Sequence, residues 1–164
     1  MKKSIAILFT ALFSLLAANS AFCQIEKYDP NANAIADVKA AIHLAKKTNK
    51  HVFVKVGGNW CSWCKLYAEF THDNEDIANI MEDNYIKVLV NWSKENKNPA
   101  AMEYLKFPQR FGYPVFVIID GNGTIIHTQN SAYLEQGNGY DKNKIMQFLM
   151  GWTPKAVDPD TYKN

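Results

Sequence analysis

The sequence predicts an α/β domain built on a central mixed β-sheet with helices on both faces. Three observations predict it. Segments of helical and of strand period alternate along the chain, a hairpin signal stands near its end, and a Cys-x-x-Cys pair sits where a strand gives way to a helix. Strands alternating with helices favour parallel neighbours, and the hairpin adds an antiparallel one, which makes the sheet mixed.

The first 23 residues stand apart from that pattern. Met1-Lys2-Lys3 is a basic head, residues 4–18 are apolar and uncharged, and small residues follow at Asn19-Ser20-Ala21. This is the order and length of a secretory signal peptide. The apolar run falls short of the roughly 20 residues that a membrane span needs. Ala21-Phe22-Cys23 fits small-x-small cleavage, which would leave Gln24 first; cleavage after Ser20 or Ala21 fits as well. A lipid anchor at Cys23 ranks behind plain cleavage, because Phe22 stands where a lipoprotein signal wants a small residue. The expectation is an exported protein, periplasmic or otherwise extracytoplasmic, with one domain over 24–152 and a C-terminal tail over 153–164.

Each element has its own justification. Asp29-Pro30 can open a helix, and Ile35, Val38, Ala41, Ile42 and Ala45 continue it at helical spacing to Thr48-Asn49. His51 to Val56 is a β-branched run that reads as a buried strand, and Gly57-Gly58-Asn59 turns the chain. From Cys61 to about Met81 the period is helical, with a weak point at Thr71 to Asn74. Tyr85 to Val90 is a strand, and Asn91 to Asn98 a polar loop carrying Trp92. Pro99 starts a helix towards Arg110 that Phe107-Pro108 interrupts. Val115 to Ile119 and Thr124 to Thr128 are strands joined through Asp120-Gly121-Asn122-Gly123. Gln129 to Tyr140 reads as a loop, Asp141 caps a last helix to about Trp152, and the tail carries two prolines and is loosely held.

Charge and cysteine usage narrow the chemistry. The chain has 18 Lys and Arg against 16 Asp and Glu, and two of the lysines belong to the leader. The remainder is neutral, which argues against a nucleic-acid partner. Without Cys23, only Cys61 and Cys64 remain. A loop that short constrains an unfolded chain little, so the pair reads as reactive rather than structural. The first thiol stands at the positive end of a helix, which favours its thiolate, the nucleophile in disulfide exchange. Zinc would want four ligands, and His43, His51, His72 and His127 show no pairing spacing; covalent haem would want His, not Lys65, after Cys64. Neither a metal nor an organic cofactor is expected.

With these parts in place the chain resembles the thioredoxin superfamily, and within it the exported thioredoxin-like proteins related to the C-terminal domain of the membrane-bound thiol:disulfide interchange reductase. The residues that carry the resemblance are Ala41-x3-Ala45-Lys46-Lys47-x2-Lys50, the strand to Val56, Trp60-Cys61-Ser62-Trp63-Cys64-Lys65, Tyr113-Pro114 with its following strand, and Asp120-Gly121-x-Gly123. They span about residues 35–152. The resemblance implies a thioredoxin fold, Cys61 as attacking thiol, Cys64 as resolving thiol, and a cis Tyr113-Pro114 bond packed against the pair. It also implies that the backbone before Pro114 pairs with the substrate chain, with Tyr113 shaping the fit.

One departure concerns proton transfer. The family carries a buried acid six residues before the first cysteine, and here that residue is Lys55. Pointing inward, Lys55 would favour a Cys64 thiolate or be neutral itself; pointing outward, its stem would pack. Glu69 is a candidate replacement for the acid. Trp60 is expected to pack and fix the loop, and Trp63 to stand exposed beside the site, both as candidate substrate contacts. His72 and Asp73 fall at the suspected bend, where capping is the simpler role.

The resemblance implies a thiol-disulfide oxidoreductase acting on disulfide-bearing proteins. Ser62-Trp63 holds no histidine to stabilise the thiolate, which tilts the expectation to reduction; an exported reductase then needs a membrane-embedded thiol electron donor. The alternative is a thioredoxin-fold binding module with little turnover, kept open by Lys55.

Overall fold

A computed structural model describes residues 26–163; the leader, Cys23 and the cleavage alternatives lie outside them. Helix α1 (Ala34–Thr48) leads into strand β1 (His51–Gly57), followed by α2 (Ser62–Asp73), α3 (Glu75–Asn84), β2 (Tyr85–Asn91) and α4 (Pro99–Tyr104). Strands β3 (Val115–Ile119) and β4 (Ile125–Asn130), a two-residue hairpin of β5 (Glu135–Gln136) and β6 (Gly139–Tyr140), and helices α5 (Lys142–Gly151) and α6 (Pro154–Val157) complete the order.

The main sheet runs β2-β1-β3-β4. β1 pairs with β2 in parallel and with β3 antiparallel, placing Lys55 between Leu89 and Phe116; β3 and β4 are antiparallel. β1 is buried throughout, as a central strand with both faces covered must be. Its two sides build two cores. Val52, Val54 and Val56 meet Val38, Ala41 and Ala45 of α1 and Met102 of α4. Phe53 meets Tyr67 of α2, Ile77 of α3, and Ile145, Phe148 and Leu149 of α5. The mixed sheet with helices on both faces is therefore the fold that the alternation predicts.

Local chemistry sets the boundaries. Helix α1 starts four residues later than Pro30 suggests, because Asp29 spends its carboxylate on a turn with the Asn31 amide and Asn33 becomes the cap, accepting from the Ala36 amide. Asn49 ends it in the left-handed region at φ 51°. The weak point after Thr71 is a full break: Asn74 is extended, and α2 and α3 are separate helices. Asp120 Oδ1 accepts from the amides of Asn122 and Thr124, closing the β3–β4 turn with Gly123 at φ 87°.

Two expectations need correction. The segment 129–140 is not a plain loop: β4 runs on to Asn130, whose side chain caps a 3-10 turn over Ser131–Leu134, and the β5–β6 hairpin follows. The tail forms two short capped turns, α6 behind Thr153 and a 3-10 turn behind Asp158, each side chain accepting a backbone amide. Tail residues 158–163 are nonetheless exposed.

Candidate redox site

Gly57 and Gly58 end β1 at the point where the chain must turn into α2. Cys61 N–H donates to Gly58 O at 3.0 Å, and Cys61 then serves as the N-cap of α2, its sulfur accepting the Cys64 amide at 3.1 Å. A cap position points its side-chain acceptor at the helix's free amides, and this is why the first cysteine gains the helix end. The first turn of α2 holds no acidic residue to oppose a thiolate. Cys61 and Cys64 are joined in a disulfide, with Cα atoms 5.2 Å apart. Cys61 is 5% exposed and Cys64 1%, so an incoming disulfide meets Cys61 first. The Tyr113-Pro114 bond is cis, and Tyr113 packs against the cysteine pair.

The two tryptophans exchange their expected places. Trp60 is 54% exposed, and its indole N–H donates to Trp92 O at 2.8 Å across Gly58, where a side chain would collide with that indole. Trp63 is half-buried; it meets Tyr140 edge-on at 5.5 Å, and the Tyr140 hydroxyl donates to Trp63 O. The reason is helical phase: Trp63 lies one turn before buried Tyr67 on the core side of α2, while Trp60 precedes the cap and projects from the turn. Trp60, Trp92 and Tyr113 form an aromatic lip, with Tyr113 ring centroids 5.3 Å from Trp60 and 5.2 Å from Trp92. Trp92 was legible only as an aromatic residue in a polar loop. That loop is held by buried amides: Asn98 donates to Asn91 O at 2.7 Å and Asn91 to Asn96 O at 3.0 Å.

Lys55 points inward. It is 1% exposed, and its ammonium lies 2.8 Å from Glu26 Oε2, with Lys87 holding the other oxygen. The rings of Tyr28 and Tyr67 stand over the same ammonium, centroids at 5.6 and 5.7 Å. Burial pushes the Lys55 pKa down, and Glu26 restores part of it. For Glu26 burial alone would raise the carboxyl, but Lys55 and Lys87 outweigh it and hold the group below its ordinary value. Glu69 is not brought to the ammonium; it stands exposed at the rim of a cavity of about 420 Å³ whose lining includes Lys55, Glu26, Tyr67 and Lys87.

Glu26 and Tyr28 are the residues that sequence reading missed. Their segment is pinned by a reciprocal pair: Tyr28 N–H donates to Asn59 Oδ1 at 3.0 Å, and Asn59 Nδ2 donates back to Tyr28 O at 2.8 Å. Tyr28 thereby packs into one cluster with both cysteines.

A cysteine pair closed at the head of a helix, with one sulfur fed by a helix amide, is a centre for thiol-disulfide redox chemistry. Among the described residues no group of three or more His, Cys, Asp or Glu is placed to hold a metal ion, and no helix is long and apolar enough to cross a membrane.

Comparison with known proteins agrees with this architecture. Residues 13–154 match the Thioredox_DsbH family, described as "Protein of unknown function, DUF255". Among curated relatives, spermatogenesis-associated protein 20 of Rattus norvegicus is 33% identical over 69 residues, 42% of this chain and 8% of that protein. This chain thus corresponds to a small part of that relative. Two solved structures share the fold. A disulphide isomerase from Xylella fastidiosa Temecula1 superposes with a TM-score of 0.67 at 21% identity, over 77% of this chain and 97% of the other. A thioredoxin from Thermus thermophilus gives 0.52 at 14% identity, over 82% and 92%. The chain belongs to the Thioredox_DsbH family and has the thioredoxin fold.

Proposed function

We propose that this protein reduces disulfides in other proteins through the Cys61/Cys64 dithiol, outside the cytoplasm. The observation that carries the reading is the asymmetry of the pair: Cys61 is the more exposed residue, and its sulfur accepts the Cys64 amide of α2. In the reduced protein the Cys61 thiolate attacks one sulfur of a substrate disulfide. That bond breaks, a mixed disulfide forms, and the released substrate sulfur takes a proton from water. Cys64 then gives up its proton and attacks the Cys61 sulfur. The mixed disulfide breaks, the second substrate thiol leaves, and Cys61–Cys64 closes. The substrate gains two electrons and the pair loses two.

The exposed lip of Trp60, Trp92 and Tyr113 beside Cys61 supports an extended peptide as the substrate, with the Tyr113 backbone as its pairing edge. The leader pattern at 1–23 supports export, and an exported reductase calls for a dithiol donor that draws electrons through the membrane. The name of the Xylella neighbour, a disulphide isomerase, is consistent with protein disulfides as the substrate class. The test is insulin reduction with dithiothreitol: acceleration over dithiothreitol alone, lost in Cys61→Ser, supports the function, and no acceleration removes it. The same lip favours a second reading, a binding module without turnover, in which Cys61→Ser/Cys64→Ser keeps partner binding intact.

A further inference from the structure

Tyr28 is a buried tyrosine whose hydroxyl has no hydrogen-bond partner among the described residues. Such an orphan carries a free-energy cost and calls for a reason. Its surroundings supply one. A Cβ built on Gly57 would lie 2.5 Å from Cys64 Sγ and 2.8 Å from Tyr28 Oη. The two atoms therefore flank one small space that Gly57, lacking a side chain, keeps open. In the disulfide, Cys64 Sγ is a weak acceptor. Once the disulfide opens it becomes a thiolate, a strong acceptor, in a site that excludes water.

We propose that the Tyr28 hydroxyl is the hydrogen-bond donor that receives the Cys64 thiolate, making the segment before α1 a working wall of the redox centre. This rests on the proposed dithiol chemistry. Tyr28 donates a hydrogen bond and keeps its proton; the proton that Cys64 loses ends on the substrate sulfur that leaves. Burial, and after it the nearby Glu26 carboxylate, push the Tyr28 phenol far above its ordinary pKa, which suits a donor that must never ionise. The titratable groups in the cluster of Cys64 are Cys61 at the α2 cap, Tyr28 of the leading segment and Tyr113 before β3; Lys55 of β1 lies against the Tyr28 ring, paired with Glu26, whose other oxygen Lys87 of β2 holds. Tyr28→Phe leaves the Lys55–Glu26 ion pair in place.

The experiment isolates Cys64 in the Cys61→Ser background and follows its thiolate absorbance with pH, with and without Tyr28→Phe. Phe keeps the ring packing and removes only the orphan hydroxyl, and a thermal melt verifies the fold. The expected result is an ionisation constant for Cys64 about tenfold smaller in Tyr28→Phe. With Cys61 present, the pH profile for closing a mixed disulfide moves to higher pH by the same factor. An unchanged ionisation constant in a folded Tyr28→Phe protein overturns the assignment. Insulin reduction by the unmodified chain is scored separately. An active chain without the shift loses only this inference, and an inactive chain with it loses only the reductase reading.

Discussion

Glu26 and Lys55, 29 residues apart in sequence, meet at 2.8 Å with the lysine almost wholly buried. An ammonium in the central strand of a sheet is tolerable only with a partner, since an unpaired buried charge costs several kcal/mol. The partner comes from the segment before α1, so one ion pair ties that segment to the sheet beneath the redox helix.

Glu26→Gln is therefore expected to destabilise the protein by about 3 kcal/mol, by leaving Lys55 buried and uncompensated. Lys55→Met on top of it restores most of that loss. Urea denaturation of the two single variants and the double one checks the coupling, which additive single effects would contradict.

Acid should loosen the same contact. The Glu26 pKa is lowered in the folded state from its ordinary 4.5. A depressed carboxyl contributes stability that is whole above the unfolded value and is lost as pH falls through the folded one. Denaturation midpoints should thus drop below about pH 4.5, and less steeply in Glu26→Gln. Equal slopes in the two proteins would remove Glu26 from the account.

Gly57→Ala puts a methyl group between Cys64 Sγ and Tyr28 Oη at distances that real Cβ atoms do not keep. The expected cost is about 1–3 kcal/mol of stability from overpacking, read by urea denaturation. A variant as stable as the parent would mean that the space beside Cys64 is larger than described.

Trp60→Ala should raise KM for peptide disulfides about fivefold to tenfold while moving stability by less than about 0.5 kcal/mol, because the side chain is mostly exposed. Steady-state kinetics and a thermal melt separate the two effects. A large loss of stability with unchanged KM would return Trp60 to the packing role first expected of it.

Much of the fold was legible because its signals are local. The run His51 to Val56, the turn at Asp120 and the cap at Asp141 each act within a few residues, and the structure keeps all three. So does the placement of Cys61 at a helix start. What escaped was set by distant partners. Nothing near Glu26 or Tyr28 in sequence marks them, for their neighbours Lys55, Asn59 and Cys64 come from a strand, a loop and a helix roughly 30 residues or more further on. Trp60 was misjudged because an average tendency of tryptophan to be buried was applied to a residue that precedes the cap, and Trp63, expected exposed, is turned towards the core by helical phase. Glu69 has the right chemistry for the missing acid, but its position on α2 turns it to the cavity rim.

The most direct test of the central claim is the equilibrium reduction potential of Cys61–Cys64, titrated against glutathione and dithiothreitol buffers. A reductase of this kind predicts a value near or below about −220 mV. A value above about −150 mV would place the pair with disulfide oxidants and contradict the assignment.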